Sequence, residues 1–390
     1  MSPSRRSFLR QAGSAVALGA FSAEAFSGAL QGEVATFQMD SDSSGSSSSG
    51  GRKIGYCIVG LGRISMNQFM PGVKISKDSR IVALVSGHRD KAERIADEYG
   101  VPHNAIYNYQ NYDSIHENPT IDAVYIALPN GMHAEYTIRA AKAGKHVLCE
   151  KPMANSVKEC QQMIAACKQA DRKLMIAYRC QYEPTNLKAI ELLRQGYAGK
   201  LQVVSSSNGF NIHPGEWRLN KKMAGGGPLV DVGIYSIQAM RYLTGEEPTT
   251  VEAYSSVIDH DGRFTEVEEN VVWTFHFSSG VLAHCASSYG TNFIGGSARA
   301  VGSEGMLELN PAFAYQGLRL TGKAQGKEPI EVAFDNPSPR QFATEADYFS
   351  ECILQNKEPK TAGEEGLRDQ RIITAIYKSC AEGKPVKLTA

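Results

Sequence analysis

The chain has 390 residues with 41 basic and 41 acidic side chains, and its 42% hydrophobic and 21% charged content is ordinary for a folded globular protein. This length predicts two domains, each able to bury its own core. Zero net charge gives no indication of a nucleic-acid partner or an anionic membrane. None of the eight cysteines forms a C-x-x-C pair, so we expect no metal site.

Residues 1–30 resemble a twin-arginine export signal. Arg5 and Arg6 are followed by Ser-Phe-Leu and then by a mildly apolar stretch at 12–26, with small residues at cleavage spacing near its end. This stretch is too short and too rich in small residues to stay in a bilayer, so we expect no stable membrane anchor. The segment predicts a periplasmic protein.

A serine- and glycine-rich segment separates this signal from the folded body. Residues 41–51 read SDSSGSSSSGG, a composition that cannot bury enough apolar surface to fold. We therefore assign residues 31–51 to a flexible arm and start the first domain at residue 52.

Strands and helices alternate over residues 52–178. The predicted strands are short and rich in β-branched residues, at 54–59, 81–86, 123–127, 146–149 and 174–178. The predicted helices lie between them, at 65–74, 89–99, 112–117, 133–143 and 157–170. Alternation of this kind predicts an α/β fold with a parallel, doubly wound Rossmann sheet.

Residues 179–390 have a different pattern. Strands follow one another at 201–208, 250–258, 268–277, 281–287, 297–301 and 305–309. Two helices, at 340–355 and 363–382, end the chain. This order predicts an α+β domain with a large, mostly antiparallel open sheet.

A glycine-rich turn follows the first strand and opens a helix. Gly60 would make the tight bend, and Gly62 would let the backbone approach a pyrophosphate at the helix N-terminus. Ser65 occupies the third glycine position of the dinucleotide-binding motif. The preceding strand and following helix are the context that this motif requires, so the turn predicts a dinucleotide site.

The tip of the second strand indicates which dinucleotide is bound. An NAD site places Asp or Glu there to bind the ribose 2′-hydroxyl. This chain instead has Ser86, with His88, Arg89 and Lys91 close behind it. A hydroxyl beside cations suits a 2′-phosphate and favours NADP. A helix start with ordinary surface charges, which Asp90 would also suit, is the alternative.

The first motif that could carry chemistry is Glu150-Lys151-Pro152. It follows a buried strand, at the sheet edge where open α/β folds bind ligands. Lys151 could bind a substrate hydroxyl and hold a neighbouring acid–base group at a lowered pKa. A lysine on a loop rim is the alternative.

The second motif is a triple glycine followed by Asp231 and Tyr235. These two residues are four apart, so on a helix they face the same side. A tyrosine hydroxyl can move protons in sugar redox chemistry if a cation lowers its pKa. Asp231 could bind a substrate hydroxyl or orient Lys151. A glycine-rich turn leading into a core helix is the alternative.

Together these motifs resemble the Gfo/Idh/MocA oxidoreductases over about the whole folded body. The further matching elements are Ala127-Leu128-Pro129-Asn130 with His133, Trp217-Arg218-Leu219, and Gly363-Glu364-Glu365-Gly366. Many family members have histidine at the position of Tyr235. Tyrosine there, with Trp-Arg upstream, is typical of the glucose–fructose oxidoreductase subgroup.

The resemblance implies a role for each site residue. Lys151 and Asp231 would hold the sugar, and Tyr235 would move the proton. The pyrophosphate would be cradled by Gly60, Gly62, Arg63 and Ile64. The 2′-phosphate end would be bound by Ser86, Gly87, His88 and Lys91. The other cofactor contacts would be Tyr109, Leu128, Pro129, Asn130, His133, Glu150, Lys151, Arg179, Trp217, Arg218 and Tyr315.

The resemblance also implies a reaction in two halves. A glucose-like aldose would be oxidised at carbon 1 to its lactone, and the hydride would pass through tightly bound NADP to the carbonyl of a fructose-like sugar. An exported enzyme meets no free nicotinamide cofactor, so a retained cofactor would be recycled in place. The expected partners are small sugars and further copies of the chain in a dimer or tetramer.

Three alternatives remain open at this point. A simple NAD(P)-dependent sugar or polyol dehydrogenase would exchange its cofactor at each turnover. An NAD-dependent glycosidase of the same fold is less compatible with Lys151, since related exported glycosidases lack this lysine. A nucleotide-binding regulator without catalysis would not need Lys151, Asp231 and Tyr235.

Overall fold

The structure of the protein, a computed structural model, describes residues 51–334 and 338–388. The predicted export signal and all but the last residue of the predicted arm lie outside these residues. Within the described part of the chain, no helix is both long and apolar enough to cross a membrane.

Among the described residues, six parallel strands form the first sheet, in the order β3-β2-β1-β4-β5-β6. They are β1 (Ile54–Val59), β2 (Ser79–Val85), β3 (Ile106–Tyr107), β4 (Ala123–Ile126), β5 (His146–Glu150) and β6 (Leu174–Ala177). Every residue of β1 is buried, as expected when helices cover both faces of a parallel sheet. The strand order reverses between β1 and β4, and ligands bind at such a point, beyond the carboxyl ends of the strands.

Helices connect these strands. They are α1 (Met70–Ile75), which continues a π-helical turn at Ser65–Phe69, α2 (Arg89–Tyr99), α3 (His133–Lys142) and α4 (Val157–Gln169). Short 3-10 turns lie at His103–Ala105, Tyr112–Glu117, Asn130–Met132 and Arg179–Gln181. α2 ends where Gly100 takes a φ of 66°, which glycine adopts without steric cost. α4 begins where the Ser156 side chain accepts a hydrogen bond from the Glu159 amide.

Within the described ranges, nine strands form the second sheet, in the order β14-β13-β12-β11-β7-β10-β9-β8-β15. They are β7 (Leu201–Gly209), β8 (Pro248–Ser256), β9 (Asn270–Phe277), β10 (Leu282–Ser288), β11 (Gly296–Gly302), β12 (Gly305–Leu309), β13 (Leu320–Ala324), β14 (Ile330–Val332) and β15 (Val386–Lys387). β7 and β10 pair in parallel, and the other neighbouring strands are antiparallel.

The helices of the second half pack on one face of this sheet and on the first domain. They are α5 (Pro184–Arg194), α6 (Lys221–Ala224), α7 (Ile234–Thr244), α8 (Ser338–Leu354) and α9 (Gly363–Glu382), with a 3-10 turn at Trp217–Leu219 and a π-helical turn at Leu229–Gly233. α7 and α9 contact the second sheet, whereas α8 packs against α1. The Tyr56 hydroxyl in β1 donates to the Ala346 carbonyl of α8 at 3.1 Å. The chain therefore returns to the first domain after β14, before β15 adds the last strand to the second sheet.

The predicted fold class is confirmed: a parallel Rossmann sheet is followed by a mostly antiparallel one. The bounds of α2 and α9 agree with the sequence at both ends, because a glycine follows each helix. Helix α5 and the short strands β3, β13, β14 and β15 were not predicted. Strands β3, β14 and β15 have three residues or fewer, which is too short for a clear hydrophobic period.

Candidate active site

The glycine-rich turn after β1 has the shape of a phosphate cradle. A Cβ atom on Gly60, where φ is +94°, would lie 2.7 Å from the Ala127 carbonyl oxygen, so the bend requires glycine. A Cβ atom on Gly62 would meet no atom within 4 Å, so the turn is open on that side. Ser65 is buried and donates to the Gly60 carbonyl at 2.6 Å, and Ile64 packs against the core. This open turn before a helix fits the phosphates of a dinucleotide.

The tip of β2 lies beside this turn. Ser86 is buried, and its hydroxyl accepts a hydrogen bond from the His88 amide at 3.1 Å. Lys91 in α2 donates to the Leu61 carbonyl of the glycine turn at 2.6 Å. A hydroxyl and an ammonium group therefore stand where an NAD site would have a carboxylate, and both would suit a 2′-phosphate.

Arg89 does not belong to this group of cations, contrary to the sequence interpretation. Its guanidinium donates to the carbonyl oxygens of His103 at 3.1 Å and Ile106 at 3.2 Å. It also pairs with Glu93 one turn along α2, at 2.7 Å. These contacts tie the Arg89 side chain to α2 and to the loop after it, where the backbone carbonyl oxygens need hydrogen-bond donors.

Gly87 and Tyr109 meet next to Ser86. The Tyr109 ring lies 3.3 Å from the position that a Cβ atom on Gly87 would take, so a larger residue would press on the ring. Arg139 donates to the Tyr109 carbonyl at 3.2 Å and fixes this segment. Tyr109, a predicted cofactor contact, thus lies beside the predicted 2′-phosphate contacts.

The turn between β4 and α3 carries four predicted cofactor contacts, Leu128, Pro129, Asn130 and His133. The Asn130 side chain donates to the Ala224 carbonyl at 2.8 Å. The His133 ring nitrogens lie 2.9 Å from the Pro152 carbonyl oxygen and 2.8 Å from that of Leu128. Burial lowers the pKa of His133 even though these carbonyls favour a protonated ring. Asn130 and His133 therefore hold the turn against its neighbours and shape the crevice.

Glu150 ends β5, Lys151 follows it, and the two side chains contact different partners. The Tyr125 hydroxyl donates to Glu150 at 2.6 Å, and burial raises the pKa of this carboxyl. The Lys151 ammonium donates to the Asp231 carbonyl at 2.7 Å and lies 3.6 Å from the Asp231 carboxylate. It also lies 4.5 Å from the centroid of the Tyr235 ring. Lys151 thus brings the two predicted motifs together.

Asp231 is surrounded by donors. Arg218 lies 2.9 Å from its carboxylate, and the Tyr289 hydroxyl donates to the same oxygen at 2.8 Å. Burial alone would raise the pKa of Asp231, but the charges of Arg218 and Lys151 and the Tyr289 hydrogen bond hold it below the ordinary value. Asp231 is therefore ionised at neutral pH and able to accept hydrogen bonds from a sugar.

Tyr235 differs from the prediction in one respect. Two cations lie at its ring, Lys151 and, at 5.1 Å from the centroid, Arg179. Burial nevertheless raises the pKa of Tyr235 above its ordinary value and outweighs the Arg179 charge. The Arg179 charge does lower this pKa, as the sequence predicts, but the predicted net lowering is wrong because desolvation of the phenolate is the larger effect.

Arg179, which the resemblance assigned to the cofactor, lies between two aromatic rings of the site. Its guanidinium is 5.1 Å from the Tyr235 ring centroid and 4.6 Å from that of Tyr315. It donates to Gln341 at 2.9 Å and to the Phe313 carbonyl. Burial raises the pKa of Tyr315 to about 12. Arg179 therefore positions Tyr235 and Tyr315 with respect to each other.

Trp217 and Arg218 belong to a 3-10 turn that faces the glycine turn. The Arg218 guanidinium stacks on the Trp217 ring, with 4.7 Å to the centroid. Glu216, just before them, pairs with Arg63 of the glycine turn at 2.5 Å. The segment that carries the predicted cofactor contacts Trp217 and Arg218 is thus tied to the predicted pyrophosphate cradle.

Sequence reasoning missed Tyr289 and Glu216. Tyr289 follows β10 and Glu216 lies in a loop, so no periodicity marks either residue as part of the site. The signal for Glu216 was its position directly before the Trp-Arg pair. Nothing in the sequence around Tyr289 indicated a contact with Asp231, because that contact depends on how β10 lies beside the Leu229–Gly233 turn.

The chain matches two family models. Residues 54–178 match the oxidoreductase family model with an NAD-binding Rossmann fold, GFO_IDH_MocA. Residues 186–308 match the GFO/IDH/MocA C-terminal domain. The two matches cover the glycine turn, Lys151, Asp231 and Tyr235.

Curated relatives and one solved structure are similar over most of their length. D-xylose 1-dehydrogenase (NADP+) from Haloarcula marismortui is 30% identical over 85% of this chain and 92% of its own. D-xylose 1-dehydrogenase (NADP+) 2 from Haloferax volcanii is 31% identical over 85% and 99%. The crystal structure of aldose-aldose oxidoreductase from Caulobacter crescentus, complexed with glycerol, is 45% identical over 86% of this chain and 100% of that chain, with a TM-score of 0.83.

Proposed function

Because the chain belongs to the GFO/IDH/MocA oxidoreductase family, we propose that it is an NADP-dependent oxidoreductase that transfers hydride from one sugar to another. The donor would be a glucose-like aldose, oxidised at carbon 1 to its lactone, and the acceptor the carbonyl of a fructose-like sugar. The single observation that carries this proposal is the cluster in which Lys151 contacts both Asp231 and Tyr235. The 45% identical structure, named as an aldose-aldose oxidoreductase, supports a sugar for both half-reactions.

Lys151 and Asp231 bind the sugar in this proposal. Asp231 accepts hydrogen bonds from sugar hydroxyls because Arg218 and Lys151 keep it ionised. The Lys151 ammonium donates to a sugar oxygen next to the Tyr235 ring. Bound NADP supplies the hydride acceptor of the first half-reaction and the hydride donor of the second.

Tyr235 moves the proton. In the oxidation, its oxygen takes the proton of the carbon 1 hydroxyl while the hydride leaves carbon 1 and a carbonyl forms. In the reduction, its hydroxyl returns a proton to the oxygen of the acceptor carbonyl. The raised pKa favours the protonated form, so the reduction can start from the resting state. The oxidation requires the tyrosinate, which the charge of Arg179 favours and burial disfavours.

Two features support NADP over NAD. Ser86 and Lys91 offer a hydroxyl and a cation at the tip of β2, where an NAD site would have a carboxylate. The curated relatives are named as NADP enzymes. The export signal proposed for residues 1–30 would place the protein in the periplasm, where a retained cofactor must be reoxidised in place.

We also propose a homo-oligomer formed through the open face of the second sheet. One face of this sheet is covered by α7 and α9. The other face exposes apolar side chains on four neighbouring strands, Val203, Tyr254, Val272 and Leu282. Apolar side chains in adjacent strands of an open sheet suit contact with a second copy.

A simple NADP-dependent sugar dehydrogenase is the second candidate. The two curated relatives are named as D-xylose 1-dehydrogenases, a reaction with one sugar. The same cluster of Lys151, Asp231 and Tyr235 could perform it. The two candidate functions differ in whether the cofactor leaves the enzyme after each turnover.

Mass spectrometry of the protein as isolated tests the proposal. We expect one NADP or NADPH per chain that survives gel filtration and is released on denaturation, and a mature N-terminus beyond residue 30. Protein that arrives free of nucleotide and turns over added cofactor would favour the second candidate. A chain that keeps its first residues in the periplasmic fraction would contradict the proposed export signal.

A further inference from the structure

We propose that Glu216 is a positioning residue that holds the segment 210–220 against the glycine turn and thereby slows the release of the dinucleotide. The two oxygens of Glu216 contact arginines from different domains. Arg63 of the glycine turn lies 2.5 Å from one oxygen, and Arg218 lies 3.7 Å from the other. Glu216 is therefore a bridge across the crevice in which the dinucleotide is proposed to bind. This inference rests on the proposed function.

The bridge continues into the proposed sugar site. Arg218 lies 2.9 Å from Asp231, and Asp231 lies 3.6 Å from Lys151. Charges alternate along this chain of side chains, from Arg63 through Glu216, Arg218 and Asp231 to Lys151. Each negative group is thus flanked by two positive groups, which favours the closed arrangement as a whole.

The segment 210–220 is anchored at both ends and depends on Glu216 between them. At one end, the Ile212 amide donates to the Tyr289 carbonyl at 2.9 Å. At the other end, Asn220 donates to Glu266 at 3.2 Å. Residues 213–215 between these anchors are exposed. The Glu216–Arg63 ion pair therefore sets how closely this part of the segment approaches the glycine turn.

The ion pair between Arg63 and Glu216 lies next to the predicted pyrophosphate site. Arg63 follows Gly62, the residue whose open side fits a pyrophosphate. The Glu216 side chain is 21% exposed and that of Arg63 is 75% exposed, so solvent reaches the pair and limits its strength. Because exposed ion pairs contribute up to about 1 kcal/mol, we expect loss of the pair to speed cofactor release by about fivefold.

The test compares release rates of NADP from purified full-length variants, followed by exchange with labelled NADP. Glu216→Gln removes the charge and keeps the size of the side chain. Glu266→Gln is the matched control, because it removes a carboxylate that ties the same segment at its far end. In a chain that already carries Arg63→Gln, adding Glu216→Gln should change the release rate little, since the ion pair is already absent.

We expect Glu216→Gln to release NADP about fivefold faster than the wild type and Glu266→Gln to release it at the wild-type rate. The inference is overturned if Glu216→Gln releases NADP at the wild-type rate, or if both single variants accelerate release equally. The comparison remains valid if the wild type exchanges NADP freely. Fast exchange in the wild type contradicts the proposed retention, whereas equal rates in wild type and Glu216→Gln contradict the role of Glu216.

Discussion

Tyr235 shows how burial and charge compete at a single residue. Lys151 and Arg179 lie at its ring, yet burial raises its pKa above the ordinary tyrosine value. Asp231, four residues earlier, is half-buried, and Arg218, Lys151 and Tyr289 bring its pKa below the ordinary value. At neutral pH Tyr235 is therefore protonated and Asp231 is ionised. Tyr235 is thus suited to move a proton, and Asp231 is suited to bind the sugar.

The raised pKa of Tyr235 predicts a different pH dependence for each of the two half-reactions. Reduction of the bound cofactor by an aldose needs the tyrosinate, so its single-turnover rate should rise about tenfold per pH unit below the pKa. Reduction of a carbonyl by the reduced enzyme needs the protonated tyrosine and should change little over the same range. Asp231 stays ionised there because its pKa is lowered, so it does not contribute to the profile.

Tyr235→Phe is the control for this pH profile. The ring and its packing on Phe313 are retained, and only the hydroxyl is lost. We expect both half-reactions to slow by about 10²–10⁴-fold and the pH dependence of the oxidation to disappear. A wild-type oxidation rate that is independent of pH, or a profile that persists in Tyr235→Phe, would show that another group moves the proton.

The chemistry of the candidate residues was predictable where a motif fixes the local backbone. Lys151 and Tyr235 were found because each follows a recognisable turn at the end of a strand or the start of a helix. The effect of burial on Tyr235 was not predictable, because desolvation depends on the surroundings of the folded chain. For the same reason the sequence did not indicate the contacts of the Arg89 side chain, because its carbonyl acceptors lie 14 and 17 residues further along the chain.

At the scale of elements, an ion-pair network joins α7, which carries Tyr235, to α9. Arg241 in α7 lies 2.7 Å from both Glu365 and Asp369 of α9, and all three side chains are buried. Burial raises the pKa of Asp369 to about 6, against the charge of Arg241. The Gly363–Gly366 motif noted in the sequence thus supplies Glu365 to this network. A Cβ atom on Gly366 would lie 2.8 Å from the Met153 side chain, so this glycine permits close packing.

Removing Arg241 should destabilise the fold. Arg241→Ala leaves the buried Asp369 without the cation it contacts and leaves Glu365 with only the exposed Arg368, so we expect the free energy of unfolding to fall by about 3–5 kcal/mol. Arg368→Ala is the control, because Arg368 contacts Glu365 at 3.3 Å but is 48% exposed, and we expect a loss of about 0–1 kcal/mol. Denaturant unfolding measures both. Equal losses in the two variants would mean that burial of the network is not what stabilises the contact between α7 and α9.

Most elements could be predicted from the sequence because their hydrophobic patterns are long. Helices α2 and α9 have clear periodicity and end at Gly100 and Gly383. Helix α5 was missed although Pro184 opens it and the Glu183 side chain accepts from the Thr185 and Asn186 amides, because glutamate is an uncommon residue at this position. Strand β13 forms through pairing with β12, and the edge strand β14 forms through pairing with β13; the sequence specifies neither pairing.

At the scale of the whole molecule, the candidate site is assembled from both domains. Lys151 follows β5 of the first sheet, whereas Asp231 and Tyr235 precede and begin α7 beside the second sheet. Their meeting was inferred from the family resemblance and not from the spacing of 80 residues between Lys151 and Asp231. The Arg63–Glu216 ion pair also joins the two domains, and it spans 153 residues of sequence. Contacts of this range depend on how the domains dock, which local patterns do not encode.

The most direct measurement of the central claim is a single-turnover experiment on the protein as isolated, with no nucleotide added. Glucose is mixed with the protein, the absorbance of the reduced nicotinamide is followed, and fructose is then added. We predict that glucose produces one equivalent of reduced cofactor per chain and that fructose removes this signal. An absorbance change that appears only when NADP is supplied, or a reduced signal that no sugar carbonyl can reverse, would contradict hydride transfer between two sugars through a retained cofactor.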